Sequence, residues 1–210
     1  NKRPSLLENE INKVSKNLGK KKKKNNLMSR WNCVKLLKRK DTKMLNYIHG
    51  TLPNKENEFG FAFSGGVDSV VFTNYLLKTG RQFKLYFFHH GDEDDNRALA
   101  FTKQYAKENN LEVVTNQNVV YHGSSDEVMR NARYEWLDNY KDIPVLTGHN
   151  LEDIVSGYVM FWIKGQEKFI PVTRNHVVRP FLLTRKKDII KYAQDNCFQW
   201  YESPGNSTMQ

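Results

Sequence analysis

Ser64-Gly65-Gly66-Val67-Asp68-Ser69 combines residue types that handle phosphate. Two adjacent glycines let backbone N–H groups approach an anion closely. The apolar residues that follow, Val70, Val71, Phe72, Tyr75, Leu76 and Leu77, recur at helical spacing, so the positive end of a helix would face that anion. Ser64 and Ser69 add hydroxyl donors. Asp68 is the odd member, because a carboxylate beside phosphate repels it unless a cation lies between them. Asp68 is therefore a candidate magnesium ligand, or a partner to a magnesium-bound group. No Gly-Lys-Ser or Gly-Lys-Thr follows a glycine loop, so the pattern is not that of a Walker loop. The plain alternative is an ordinary capped strand-to-helix turn.

Other polar clusters recur at regular intervals downstream, and the elements around them say where they would sit. From residue 58 the chain alternates strand-like and helix-like stretches, which predicts an α/β fold with an open parallel sheet of about five strands and helices on both faces. The expected strands are 59–63, 83–88, 111–114, 144–147 and 176–179. The expected helices begin after the glycine turn and over 96–109, 124–140, 150–163 and 184–196. Ser124-Ser125-Asp126-Glu127 resembles a capping box, and Thr184 is the expected cap of the last helix. Ligands of such sheets lie outside the carboxyl ends of the strands. The glycine turn, His90 and the Gly148-His149-Asn150 turn all fall at that edge.

Charge divides the chain differently. Residues 1–58 hold 16 Lys and Arg against 5 Asp and Glu, whereas the remainder is nearly neutral, so almost all of the +10 net charge lies upstream of the glycine turn. Lys20 to Lys24 form one block, and Arg30, Trp31, Lys35, Lys38, Arg39 and Lys40 interleave bases with an aromatic. The expected organisation is a basic, largely helical or mobile extension over 1–57 and a catalytic domain over 58–210. Such an extension suits a polyanionic partner. No apolar run approaches a membrane span and no signal peptide is visible, so a cytoplasmic protein without membrane association is expected. Cys33 and Cys197 are the two cysteines, which fits a reducing compartment and rules out a cysteine-rich metal knuckle.

Taken in order, several motifs resemble one family. They are the Ser64–Ser69 loop, His89-His90-Gly91, Arg130-Asn131-Ala132-Arg133-Tyr134, Gly148-His149-Asn150-Leu151-Glu152-Asp153, Arg179-Pro180-Phe181-Leu182, and Trp200 to Asn206. The glycine loop resembles that of the PP-loop ATP pyrophosphatases, whose fold is the adenine-nucleotide alpha-hydrolase type. The ordered set over roughly 58–206 is similar to the catalytic domain of tRNA(Ile)-lysidine synthetases. The resemblance implies ATP and Mg2+ as cofactors, and tRNA and free lysine as substrates. ATP would adenylate the wobble cytidine of a tRNA(Ile) with loss of pyrophosphate, and lysine would then displace AMP to form lysidine. By position, Ser64, Gly65, Gly66, Val67, Asp68, Ser69 and His90 would hold the nucleotide. Arg130, Arg133, His149 and Asp153 would meet the substrates, and Asp68, Asp153 and Arg133 would be catalytic. Asp153 would handle lysine or a second magnesium. Arg130 and Arg133 could instead pair with Asp126 and Glu127 one turn away.

The departures fall after the fourth strand. Asn150 stands for the family's second His, Glu152 for its first acid, and Ile154-Val155-Ser156-Gly157 replaces a Gln-Ala-Glu-Thr run. The family's tRNA-binding C-terminal domains have no counterpart in the sequence, so the N-terminal extension is expected to bind most of the tRNA, with a partner chain or a second copy as a further contributor. The competing readings are a PP-loop enzyme with another acceptor and a non-catalytic RNA-binding or assembly module.

Overall fold

The computed structural model describes residues 52–53, 57–116 and 125–203. The extension expected over 1–57 lies almost wholly outside these residues, as do Ser124 and the end of the Trp200–Asn206 motif. The elements in chain order are β1 (Phe59–Ala62), α1 (Val67–Lys78), β2 (Phe83–Phe87), α2 (Glu93–Glu108), β3 (Glu112–Thr115), α3 (Asp126–Asp138), β4 (Val145–Thr147), α4 (Leu151–Ile163), β5 (Thr173–Arg174), β6 (Val177–Val178) and α5 (Lys186–Asp195). The strands form one sheet ordered β3-β2-β1-β4-β6-β5. Five are mutually parallel, as expected. The sixth, β5, pairs antiparallel with β6 and was not foreseen: a two-residue strand is too short to show an alternating pattern.

Period-two alternation sorts the core onto both faces of the sheet. Phe59, Phe61, Leu85 and Leu146 are buried together with Val70, Val71, Phe72 and Leu76 of α1 and Ile189 and Ala193 of α5. Tyr86, Val145 and Val177 face the other way and pack with Leu137 of α3 and with Trp136 and Tyr140. Gly60 belongs to this second face. A Cβ there would lie 2.4 Å from the Tyr86 ring, so glycine is what lets that ring lie across β1. Phe72 stacks on Phe181 at 3.8 Å between centroids, tying α1 to the segment that leads into α5.

Two local expectations change in detail. Ser125 caps α3 by accepting a hydrogen bond from the Val128 N–H. Thr184 does not cap the last helix: α5 starts at Lys186, and the Thr184 hydroxyl is buried with no partner among the described residues.

Candidate active site

The strand order reverses at β1, which has β2 on one side and β4 on the other. Loops leaving the carboxyl ends of β1 and β4 therefore border one crevice. Gly65 turns the chain with φ +82°, a conformation that glycine adopts without strain. Its carbonyl accepts the Tyr201 N–H at 2.9 Å. The Ser69 hydroxyl donates to the Gly66 carbonyl at 2.8 Å, and Ser64 Oγ accepts weakly from the Gly66 N–H. Gly66 is the N-cap of α1 and offers no side-chain acceptor, so the leading N–H groups of that helix are left for an anion.

Acidic groups gather on the β4 side. Asn150 and Asp153 form a reciprocal capping box on α4: Asn150 Oδ1 accepts the Asp153 N–H, and Asp153 Oδ2 accepts the Asn150 N–H at 2.7 Å. The Asn150 amide also donates to Asp68 Oδ1 at 3.1 Å. The other Asp68 oxygen is ion-paired with the Lys186 ammonium. Glu152 Oε2 accepts the Lys186 N–H at 2.7 Å, and the Thr184 carbonyl accepts the Leu151 N–H at 2.9 Å. The starts of α1, α4 and α5 are thus fastened together around Asp68. Burial raises the proton affinity of Asp153 above the usual carboxylate range, and the Asp68 charge adds to the rise.

Guanidinium groups gather opposite, around Tyr134. Arg179 is 1% exposed and donates to the Pro171 carbonyl at 2.8 Å and the Tyr134 hydroxyl at 2.7 Å, while its Nε has no partner among the described residues. Arg174 and Arg130 approach the Tyr134 ring at 4.8 and 5.7 Å. Burial lowers the pKa of Arg133, and the charges of Arg130 and Arg179 lower it further. None of these four arginines pairs with a carboxylate among the described residues. His149 feels the same field. Its Nδ1 lies 2.8 Å from Thr147 Oγ1, and burial, then Arg179, Arg133 and Arg130, push its pKa down to about 3. His149 is therefore neutral at physiological pH.

A cavity of about 410 Å³ joins these groups, lined by Ser64, Gly66, Asp68, Ser69, His90, Arg133, His149 and Asp153 among others. Tyr86, Phe88, Tyr134 and Trp136 supply an aromatic wall suited to a base. Of the sequence candidates, Gly65, Val67 and Arg130 do not line it: Gly65 shapes the turn, Val67 is buried and Arg130 is exposed. His90 is held by Asp95, whose Oδ2 accepts the His90 N–H at 2.6 Å. The sequence reading missed Lys186, Asp95 and the clasp in which Tyr201 and Ser203 donate to Asp94. Position 156, where the resemblance expects Glu, is exposed on α4 and outside the cavity wall.

A crevice at the sheet's reversal point, faced by a glycine turn and an uncapped helix start, defines a nucleotide-binding α/β domain. The family model described as a PP-loop domain matches residues 36–210, and the chain belongs to that family. The chain is 29% identical to a tRNA(Ile)-lysidine synthase of Persephonella marina over 66% of this chain and 35% of that protein. It is 27% identical to a tRNA(Ile)-lysidine synthase of Bdellovibrio bacteriovorus over 85% of this chain and 56% of that protein. The chain thus spans between about a third and about a half of the curated relatives it matches. A U34-tRNA thiolase of Methanococcus maripaludis shares the fold with a TM-score of 0.61 at 16% identity, over 80% of this chain and 66% of that one. No helix among the described residues is long and apolar enough to cross a membrane.

Proposed function

We propose that this chain uses ATP to modify tRNA, adenylating the wobble cytidine of a tRNA(Ile) and joining free lysine to it as lysidine. The observation that carries this reading is a single cavity in which the phosphate-type loop, four carboxylates (Asp68, Asp94, Asp95 and Asp153), an arginine, a neutral histidine and an aromatic wall converge. Similarity to lysidine synthases over the same residues supports it.

In the first step the cytidine O2 attacks the α-phosphorus and pyrophosphate leaves. The Ser64–Ser69 turn and the start of α1 hold the departing phosphates, and Arg133 stabilises charge growing on the transferring group. Asp68 lines the cavity beside that turn, and its carboxylate fits Mg2+, which takes one or two carboxylates plus phosphate oxygens and would help neutralise those phosphates. In the second step the lysine amine attacks C2, the C2–O bond breaks and AMP leaves. Asp153, with its raised proton affinity, takes the proton that the attacking amine loses. His149, being neutral, serves as a hydrogen-bonding group toward the base and places no further charge there. The basic residues upstream of 58 bind the tRNA backbone, and cytoplasm is the matching compartment.

Incubating the full chain with tRNA, ATP and isotopically labelled lysine, then analysing nucleosides by mass spectrometry, tests the reading. Labelled lysidine is expected. ATP–pyrophosphate exchange that depends on tRNA, with no lysine incorporated, would leave the PP-loop chemistry and transfer it to another acceptor. A chain lacking residues 1–52 should bind ATP normally but bind tRNA more weakly, with a flatter salt dependence. Unchanged tRNA affinity would assign the basic extension to a different partner.

A further inference from the structure

Asp68 and Asp153 are two carboxylates on the wall of one cavity, and each has a partner that does not line it. Asn150 bridges them, donating its amide to Asp68 and capping α4 jointly with Asp153. Lys186 completes the arrangement from behind: its ammonium pairs with Asp68, and its backbone N–H is pinned by Glu152. A carboxylate pair beside a phosphate-binding turn is a problem for an enzyme whose ligand is a polyanion. Uncompensated, the pair would repel the nucleotide, or would capture any divalent cation whether or not nucleotide came with it.

We propose that Lys186 is the resident counter-cation of the Asp68–Asp153 pair, holding it in place and yielding to a divalent ion only when that ion arrives with nucleotide phosphates. The assignment rests on the nucleotide reading of the cavity given above. Three features of the chain support it. The ammonium is covalently tethered, so its effective concentration at Asp68 is high and a free ion must compete with it. Each Asp68 oxygen has a second lone pair after its contact with Lys186 or Asn150, and Asp68 lines the cavity, so phosphate and metal can approach from that side. Lys186 is the first residue of α5 and its backbone is anchored, so its long stem can swing while its origin stays fixed. Released from Asp68, the ammonium would then be free to follow the incoming phosphates, as a flexible point charge does.

Lys186 is thus a positioning residue with a specific consequence: it sets the order in which metal and nucleotide enter. The test is Mn2+ binding to the full chain, followed by electron paramagnetic resonance without nucleotide and again with a non-hydrolysable ATP analogue. Wild type and Lys186→Arg should bind Mn2+ weakly alone and at least tenfold more tightly with the analogue. Lys186→Met should bind Mn2+ without nucleotide at least tenfold more tightly than wild type. Adding Asp68→Asn to Lys186→Met should abolish that gain, which locates the ion. Lys186→Gln, which keeps a polar end, serves if the Met variant fails to fold by circular dichroism. Equal Mn2+ affinity without nucleotide in wild type and the folded Met or Gln variant would overturn the proposal. Failure of wild type to bind the analogue at all would overturn the nucleotide reading instead, and the nucleotide-free arm would still report on Lys186.

Discussion

The acidic groups beside β4 and the guanidinium groups around Tyr134 are balanced in opposite ways. On the β4 side every acid has an internal partner: Asp68 has Lys186 and Asn150, Asp153 has the α4 cap, and Glu152 has the Lys186 N–H. Around Tyr134 four arginines meet a phenol and a carbonyl but, among the described residues, no carboxylate. Assembling like charges without counter-charge costs free energy, so the first cluster is complete by itself and the second is suited to an anion brought by a ligand. The acid cluster should therefore respond to metal, and the arginine cluster to phosphate or RNA.

The sharpest way to break this contrast is at Asp68. Asp68→Ala should lower ATP–pyrophosphate exchange by about a hundredfold or more, while the fold survives, because the side chain caps no helix and fills no core. Near-normal exchange would remove Asp68 from the nucleotide site. Arg133→Ala should come next, with a loss of roughly ten- to a hundredfold in the same assay. Arg133→Lys should recover only part of it, since a point charge does not reproduce the guanidinium fork. If Arg133→Ala impaired tRNA binding and spared exchange, the arginine cluster would belong to RNA alone.

The field of that cluster should also be visible in stability. His149 has its pKa pushed down to about 3 by burial and by Arg179, Arg133 and Arg130. Below its ordinary value of about 6.5, the unfolded chain takes up a proton that the folded chain refuses until near its own pKa. Stability is therefore fully present above that ordinary value and is lost as pH falls through the window between the two. The whole shift corresponds to at most about 5 kcal/mol, less for a side chain partly open to solvent. Asp153 acts the other way, since its raised affinity makes the folded chain hold a proton longer as pH rises. His149→Gln keeps a partner for Thr147 and removes the titration. Its melting temperature should fall less steeply than wild type between pH 6.5 and 4. Parallel curves would mean that the arginine field does not reach the imidazole.

Legibility followed the range of the interactions. The strand, glycine turn and helix around Ser64–Ser69 are local, so residue types alone placed them, and the turn after β4 was legible for the same reason. What the sequence concealed is long-range. Lys186 lies 118 positions from Asp68, inside Arg185-Lys186-Lys187, where nothing marks one base over its neighbours. Asp94 meets Tyr201 and Ser203 across more than 100 positions, and only folding brings them together. Asn150 looked like a mild replacement for histidine. Its amide lets one residue cap α4 through Oδ1 and reach Asp68 through Nδ2. Arg179 stood in the sequence only as part of the Arg179–Leu182 motif, yet it is buried and organises the guanidinium cluster around Tyr134.

The smallest expected effect concerns Arg174, and it separates packing from recognition in that cluster. Arg174 is exposed on β5, with its guanidinium 4.8 Å from the centre of the Tyr134 ring. A cation–π contact at an exposed site stabilises by only about 0.5–1 kcal/mol, so Arg174→Ala should lower the melting temperature by no more than a few degrees. If the arginine also meets an RNA phosphate, the variant should bind tRNA a few-fold more weakly. The slope of log affinity against log salt should then fall by about one, because one fewer counterion is displaced. ATP affinity should stay unchanged, since Arg174 does not line the cavity. Arg174→Lys keeps the charge and loses the planar stacking face, so it should restore the salt slope but not the melting temperature. A variant that lowers stability while leaving the salt slope intact would make Arg174 a packing residue, and would narrow the anion-binding part of the cluster to Arg130, Arg133 and Arg179.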